Sequence, residues 1–177
     1  MLIAFGGLPG VGKTTIARAL AREIQAVHVR IDSIEDVIAY YLASVEDAGY
    51  RVAYAVAEDN LRAGRTVIAD CVNPWPLTRE AWAAVAAGTG CPLVQVEIVC
   101  SNGDEHQRRV ESRRAEPGGR AVTWRDVVSR DYRPWTGDHI VIDTAGASVE
   151  ESVRTLVSRI REPGAPSAPP DRDDRQE

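Results

Sequence analysis

The sequence predicts a three-layer α/β/α domain built on a parallel sheet, and three observations carry that expectation. Short β-branched runs at 2–5, 27–31, 66–70, 92–99 and 139–143 alternate with stretches of helical periodicity. Two of them, Thr66-Val67-Ile68-Ala69 and Ile140-Val141-Ile142, are apolar at nearly every position, the pattern of strands covered on both faces. The first run leads through a glycine-rich turn into an amphipathic helix at 14–24, the order in which a strand presents a helix N-terminus to an anion. A chain of 177 residues is expected to be one domain with a substantial core.

The turn after the first strand is Gly7-Leu8-Pro9-Gly10-Val11-Gly12-Lys13-Thr14, which satisfies G-x-x-x-x-G-K-[ST] at every fixed position. This is a P-loop. Its glycines let backbone N–H groups of the segment from Gly7 to Thr15, all but Pro9 carrying one, curl round phosphate oxygens, Lys13 reaches the β- and γ-phosphates, and the Thr14 hydroxyl ligates Mg²⁺. Lys13 is the only lysine in the chain; the other 20 of its 21 basic residues are arginine.

In a parallel α/β sheet, ligands sit beyond the carboxyl ends of the strands, so the residues following each run come next. After the second run stand Asp32 and Ser33. Asp32 is placed to take the proton of a hydroxyl attacking the γ-phosphate, or to cap the following helix, and the two roles are compatible. Glu35 either shapes an acceptor pocket or is a first-turn carboxylate favoured by the helix dipole. Helical pattern follows at 34–44 and 51–62, with Gly49 and Gly64 as breaks. Asp70 closes the third run as a Walker B acid would, for Mg²⁺, or as a turn residue. Asn73, close behind, either orients an acceptor or shapes the turn. A helix at 77–86 precedes the fourth strand.

Residues 104–114 carry Arg108, Arg109, Arg113 and Arg114 at helical spacings, and the break 116–119 and Arg120 follow. Such arginines stabilise a transferring phosphoryl group from a lid that excludes water; the alternative is a solvated face paired with Glu105 and Glu111. Arg109 and Arg113 are the expected actors. A short helix opens at Thr123, and Ser148 and Glu151 form a capping box for a helix at 148–160. The domain is expected at 1–161, with a lid at about 103–122, and the Pro, Gly, Ser, Asp and Arg composition of 162–177 reads as a disordered tail.

Composition removes several classes. The net charge of −5 gives no global field for nucleic acid. No leader pattern and no apolar run near 20 residues is present, so a cytoplasmic, non-membrane protein is expected. Cys71, Cys91 and Cys100 lack C-x-x-C spacing and are expected as small buried residues rather than as disulfides or zinc ligands.

With the P-loop, Asp32, the Asp70-x-x-Asn73 segment with Arg79 and Trp82, and the arginine lid in view, the chain resembles the small P-loop kinases of the nucleoside-monophosphate kinase-like group. These include AAA-type ATP-binding small kinases, adenylylsulfate kinase, gluconate kinase, chloramphenicol phosphotransferase and polynucleotide kinase. The resemblance spans about 1–161 and implies a P-loop NTPase fold with strand order 2-3-1-4-5, ATP as donor, and Asp32 as base. It further implies lid arginines on the phosphates with one packing on adenine, a loop 143–146 ending at Gly146 that borders adenine, and Arg79 on the substrate side. Polynucleotide and adenylylsulfate kinases carry Asp-x-x-Arg where this chain has Asp32-Ser33-Ile34-Glu35. A glutamate there repels an anionic acceptor, which favours a neutral or cationic small-molecule hydroxyl: a sugar, an aminoglycoside-like or a nucleoside-like compound. The competing expectations are a polynucleotide 5′-hydroxyl kinase and a nucleotide-dependent switch ATPase without a small-molecule acceptor.

Overall fold

A computed structural model describes residues 1–115 and 122–162, without the side chains of Arg114 and Ala115. The expected break at 116–119, Arg120 and nearly all of the tail lie outside the described residues.

Five strands, β1 (Leu2–Gly6), β2 (Val27–Arg30), β3 (Val67–Asp70), β4 (Leu93–Val99) and β5 (Ile140–Asp143), form one sheet. Every pairing is parallel and the order is β2-β3-β1-β4-β5, as expected. Strand β1 lies at the centre and is buried throughout. Its alternation divides the core in two. Leu2 and Ala4 face one layer with Ala53, Ala57, Leu61, Trp82 and Ala86, supplied by α3 (Ala48–Arg62) and α4 (Pro76–Gly88). Ile3 and Phe5 face the other with Ile16, Leu20, Val153 and Leu156, supplied by α1 (Lys13–Glu23) and α7 (Val149–Arg161). Ser148 caps α7 through the expected reciprocal box with Glu151. Two further helices, α5 (Gly103–Ala115) and α6 (Trp124–Val128), lie between β4 and β5 in the chain. Among the described residues, no helix is long and apolar enough to cross a membrane. Of the cysteines, Cys71 is buried, Cys91 and Cys100 are half-buried, and all three are free.

The structure revises the second crossover. Helix α2 spans Ile31–Tyr41 rather than 34–44, starting directly from the end of β2 with Arg30 as its N-cap. Asp32 therefore sits inside the first turn and is not the cap. Gly49, expected as a break, lies within α3. The reason is steric: a Cβ at Gly49 would collide with Cγ of Glu35 on α2, so the two antiparallel helices meet through a missing side chain.

A second revision concerns Arg79, expected on the substrate side. It is 6% exposed, and its guanidinium is committed to main-chain carbonyls: Nε donates to Asn73 O (3.1 Å), Nη1 to Pro134 O (2.9 Å), and Nη2 to Pro74 O (3.0 Å) and Arg133 O. The indole of Trp135 lies 4.5 Å from its central carbon, a cation–π contact. Arg133 N–H donates to Pro74 O (2.8 Å) and Trp75 Nε1 to Asp131 Oδ2 (3.1 Å). Arg79 thus ties the loop after β3 to the strap 131–135. Tyr132 anchors that strap from below, donating its hydroxyl to the buried Glu97 Oε1 (3.1 Å).

Two outcomes are expected. Replacing Arg79 with Ala leaves its carbonyl partners unsatisfied and should cost on the order of 3 kcal/mol in urea unfolding, with Arg79→Lys restoring little because an ammonium lacks the planar fork. Gly49→Ala should yield none of the roughly 1 kcal/mol that alanine normally adds inside a helix while Glu35 stands against it. The same change in a Glu35→Ala background should recover that gain; equal effects in both backgrounds would show that Gly49 makes no room for Glu35.

Candidate active site

The loop between β1 and α1 turns tightly because its glycines adopt backbone that other residues avoid: φ is +140° at Gly7, +88° at Gly10 and +101° at Gly12. At Gly7 a side chain would also collide with the carbonyl of Ile98, and at Gly10 with Val110 of α5. Gly12 is the N-cap of α1, so Lys13, Thr14 and Thr15 form the helix's first turn, with their N–H groups free of intrahelical partners. The loop opens onto a cleft of about 970 Å³.

Of the expected site residues, Pro9, Gly10, Gly12, Lys13, Thr14, Thr15, Asp32, Glu35, Asp70, Arg109 and Arg113 line this cleft. Lys13 is 8% exposed, and its Nζ donates to Leu8 O at 2.8 Å. Burial depresses its pKa, against the opposing pull of the Asp70 and Asp32 carboxylates. Asp70, 2% exposed at the end of β3, shows the reverse balance. Burial raises its pKa, but a hydrogen bond from His28, the Lys13 charge and the Thr14 hydroxyl outweigh it, and the net shift is downward. Asp32 is held by Arg30 Nη2 at 3.1 Å.

Helix α5 carries His106, Arg109, Val110 and Arg113 at i, i+3, i+4 and i+7, one helical face, of which Arg109, Val110 and Arg113 line the cleft. Arg109 donates through Nη1 to Thr144 Oγ1 (2.8 Å) and through Nη2 to Thr144 O (2.9 Å) and Glu105. Gly146 is exposed just beyond Thr144, with its N–H on Glu105 Oε2 (3.1 Å). Thr144, Ala147 and Ser148 line the cleft here.

Asn73 and Arg79 stand behind the wall of the cleft instead of on it. Asn73 is fully buried with a left-handed backbone, φ +51°, and its N–H donates to Tyr50 Oη at 3.2 Å. Its turn role is the one the geometry supports. The wall in front is Pro74 and Trp75 with Tyr50 and Arg130.

Three contributors escaped the sequence reading. His28 donates Nε2–H to Asp70 Oδ2 at 3.1 Å from the neighbouring strand. Thr144 donates its hydroxyl to Val11 O (2.8 Å), bracing the P-loop. His106 is 5% exposed and contacts Pro9 O at 2.8 Å. The last was within reach of a helical-face analysis, because it shares a stripe with Arg109 and Arg113; the pairing of residues 28 and 70 had no local signal.

As oxygen donors, Thr14 and Asp70 suit a hard cation such as Mg²⁺, which takes few protein ligands and completes its shell with phosphate and water. Among the described residues no larger cluster of His, Cys, Asp and Glu could hold a metal by itself, and this two-donor set fits an ion delivered with a nucleotide.

Comparison with known proteins agrees with this arrangement. Residues 2–130 match the family described as AAA domain. The chain is 26% identical over 165 residues to the "Probable adenylyl-sulfate kinase" of Aeropyrum pernix, covering 88% of this chain and 89% of that protein. Among solved structures, a kinase candidate from Chloroflexus aurantiacus superposes with TM-score 0.72 at 23% identity, covering 93% of this chain and 98% of the other. A gluconokinase from Sinorhizobium meliloti superposes with TM-score 0.66 at 16% identity, covering 90% and 91%. At these identities the structures establish a shared fold. The family match spans most of the chain and contains the P-loop, Asp32, Asp70 and the arginine-bearing helix α5: the chain belongs to the AAA domain family, with the fold of the small P-loop kinases.

Proposed function

We propose that the protein is an ATP- and Mg²⁺-dependent phosphotransferase that moves the γ-phosphate to a hydroxyl group of a small molecule. The observation that carries this reading is convergence: Lys13, Thr14, Asp32, Asp70, Arg109 and Arg113 line one cleft. In the proposed reaction the P-loop amides and Lys13 hold the phosphates, while Thr14 and Asp70 hold the metal. The acceptor oxygen attacks the γ-phosphorus as its proton passes to the Asp32 carboxylate and the bond to the ADP oxygen breaks. Arg113 offsets charge on the transferring group, and Arg109, fixed on Thr144, flanks the adenine beside Gly146. Positioning and electrostatics supply most of the acceleration in such transfers. When bound, Mg²⁺ neutralises phosphate charge.

The acceptor side carries Glu35, Tyr50 and Trp75. Glu35 is set against Gly49 of α3, and a carboxylate so placed disfavours anionic acceptors. We therefore assign a neutral or cationic hydroxyl compound of the sugar, aminoglycoside-like or nucleoside-like classes. The working unit is residues 1–161, with about 103–122 as its lid, acting in the cytoplasm.

The direct test incubates the protein with ATP, Mg²⁺ and a pooled library of sugars, nucleosides, aminoglycosides and short oligonucleotides, read by mass spectrometry beside Asp32→Asn. A small molecule gaining phosphate only with the native protein is the expected result. Phosphate appearing on oligonucleotide 5′ ends, or ATP consumption with no phosphorylated acceptor, would reject the assignment. Separately, ATP at about 100 times its Kd should stabilise the native fold by roughly 2.7 kcal/mol. Lys13→Ala should abolish that thermal shift, and a full shift in the variant would remove Lys13 from the nucleotide site.

A further inference from the structure

A P-loop binds phosphate with backbone N–H groups, so each must be aimed before the ligand arrives. In a planar trans peptide the C=O of one residue and the N–H of the next point in opposite directions. Fixing a carbonyl on the outside of the loop therefore fixes an N–H towards the inside. Three P-loop carbonyls are held by side chains in this protein: Leu8 O by Lys13 Nζ, Pro9 O by His106 Nε2, and Val11 O by the Thr144 hydroxyl; the first precedes Pro9, which has no N–H to aim, so only the other two fix an amide, those of Gly10 and Gly12. The first two holders belong to unlike categories. Lys13 lines the cleft, so its bond to Leu8 competes with ligand; His106 does not line it.

His106 is built into place. It is 5% exposed, and its ring meets Trp124 edge-on, with centroids 5.0 Å apart. Its neighbour Val110, one turn along α5, occupies the space that a side chain at Gly10 would need. Because a carbonyl oxygen only accepts, the nitrogen facing Pro9 carries hydrogen, which fixes the tautomer with Nε2–H as donor. We propose that His106 is a positioning residue for the phosphate cradle: through Nε2–H it pins the Pro9 carbonyl outward and so aims the Gly10 N–H into the cleft, coupling helix α5 to the P-loop. This rests on the reading of the loop as a nucleotide site and extends it to a residue on the lid helix.

The test separates the hydrogen bond from the packing. His106→Phe keeps a ring against Trp124 without the donor; His106→Gln keeps an N–H donor at similar reach without the ring. Binding of inorganic tripolyphosphate, ATP and adenosine to each full-length protein is measured by calorimetry, with thermal unfolding of the unliganded proteins alongside. The expected result is a roughly fivefold to tenfold loss of tripolyphosphate and ATP affinity in His106→Phe, with adenosine affinity unchanged and His106→Gln within about twofold of native on the neutral hydrogen-bond scale. Native-like tripolyphosphate affinity in His106→Phe, or an equal loss in His106→Gln, overturns the proposal, whatever happens to the melting temperature. Should His106→Phe not fold, His106→Met carries the same comparison. A native protein that binds neither tripolyphosphate nor ATP overturns the nucleotide site and this inference together, whereas intact native binding with an indifferent His106 overturns this inference alone.

Discussion

The constraint on which the rest of the structure depends is that an anion is to be bound by main chain. Peptide N–H groups have no rotamers to adjust, so the loop from Gly7 to Gly12 must be held in shape from outside. That explains positive φ at all three of its glycines and fits the burial of β1, which delivers it, at every position. It also explains contacts that reach far along the chain: Gly7 N–H donates to Val72 O, and Thr144 reaches Val11. The loop is less a flexible hinge than a surface moulded between the ends of β3, β4 and β5.

Charge in the cleft follows from the same geometry. The chain's single lysine is buried, and burying an ammonium without partners is costly. Asp70 and Asp32 offset part of that cost, and Asp70 is in turn supported by His28 and the Thr14 hydroxyl. These groups form a chain of mutual support in which no charge stands alone. The net shift of Lys13 is nevertheless downward, because burial outweighs the two carboxylates, so an anion placed beside it would act with Asp70 and Asp32, and against burial, to hold the charged form.

How much of this was legible in the sequence depends on how far apart the partners lie. The P-loop, the Asp70 strand end and the Ser148–Glu151 box are local patterns, and each appears where the residues put it. The strand order followed from resemblance to a family. Gly49 was misplaced because glycine ordinarily weakens a helix; only the approach of Glu35, fourteen positions earlier, makes it useful inside one. Arg79 was set on the substrate side by resemblance to a family segment, and resemblance carries no information about its distant partners. Its carbonyl partners at Arg133 and Pro134 are more than fifty positions away. His28 and Asp70 lie on adjacent strands, two positions off a register that pairs Arg30 with Asp70, and nothing within either segment announces the contact.

The misreading of Arg79 bears on how a shared fold comes to serve different acceptors. The P-loop side of the cleft is assembled from β1, α1 and α5, all within the residues that match the family. The opposing wall at Pro74 and Trp75 takes its shape from Arg79, whose other partners lie in the strap 131–135, just beyond that match. The strap, fastened to the sheet through Tyr132 and Glu97, also sets the Trp135 ring where a Cβ at Gly6 would stand, directly before the P-loop, so the two sides of the cleft share a packing contact. The rest of the cleft lining, Glu35 of α2, Tyr50 of α3 and the strap-supported Trp75, falls within the family match as well, and that match by itself names no acceptor.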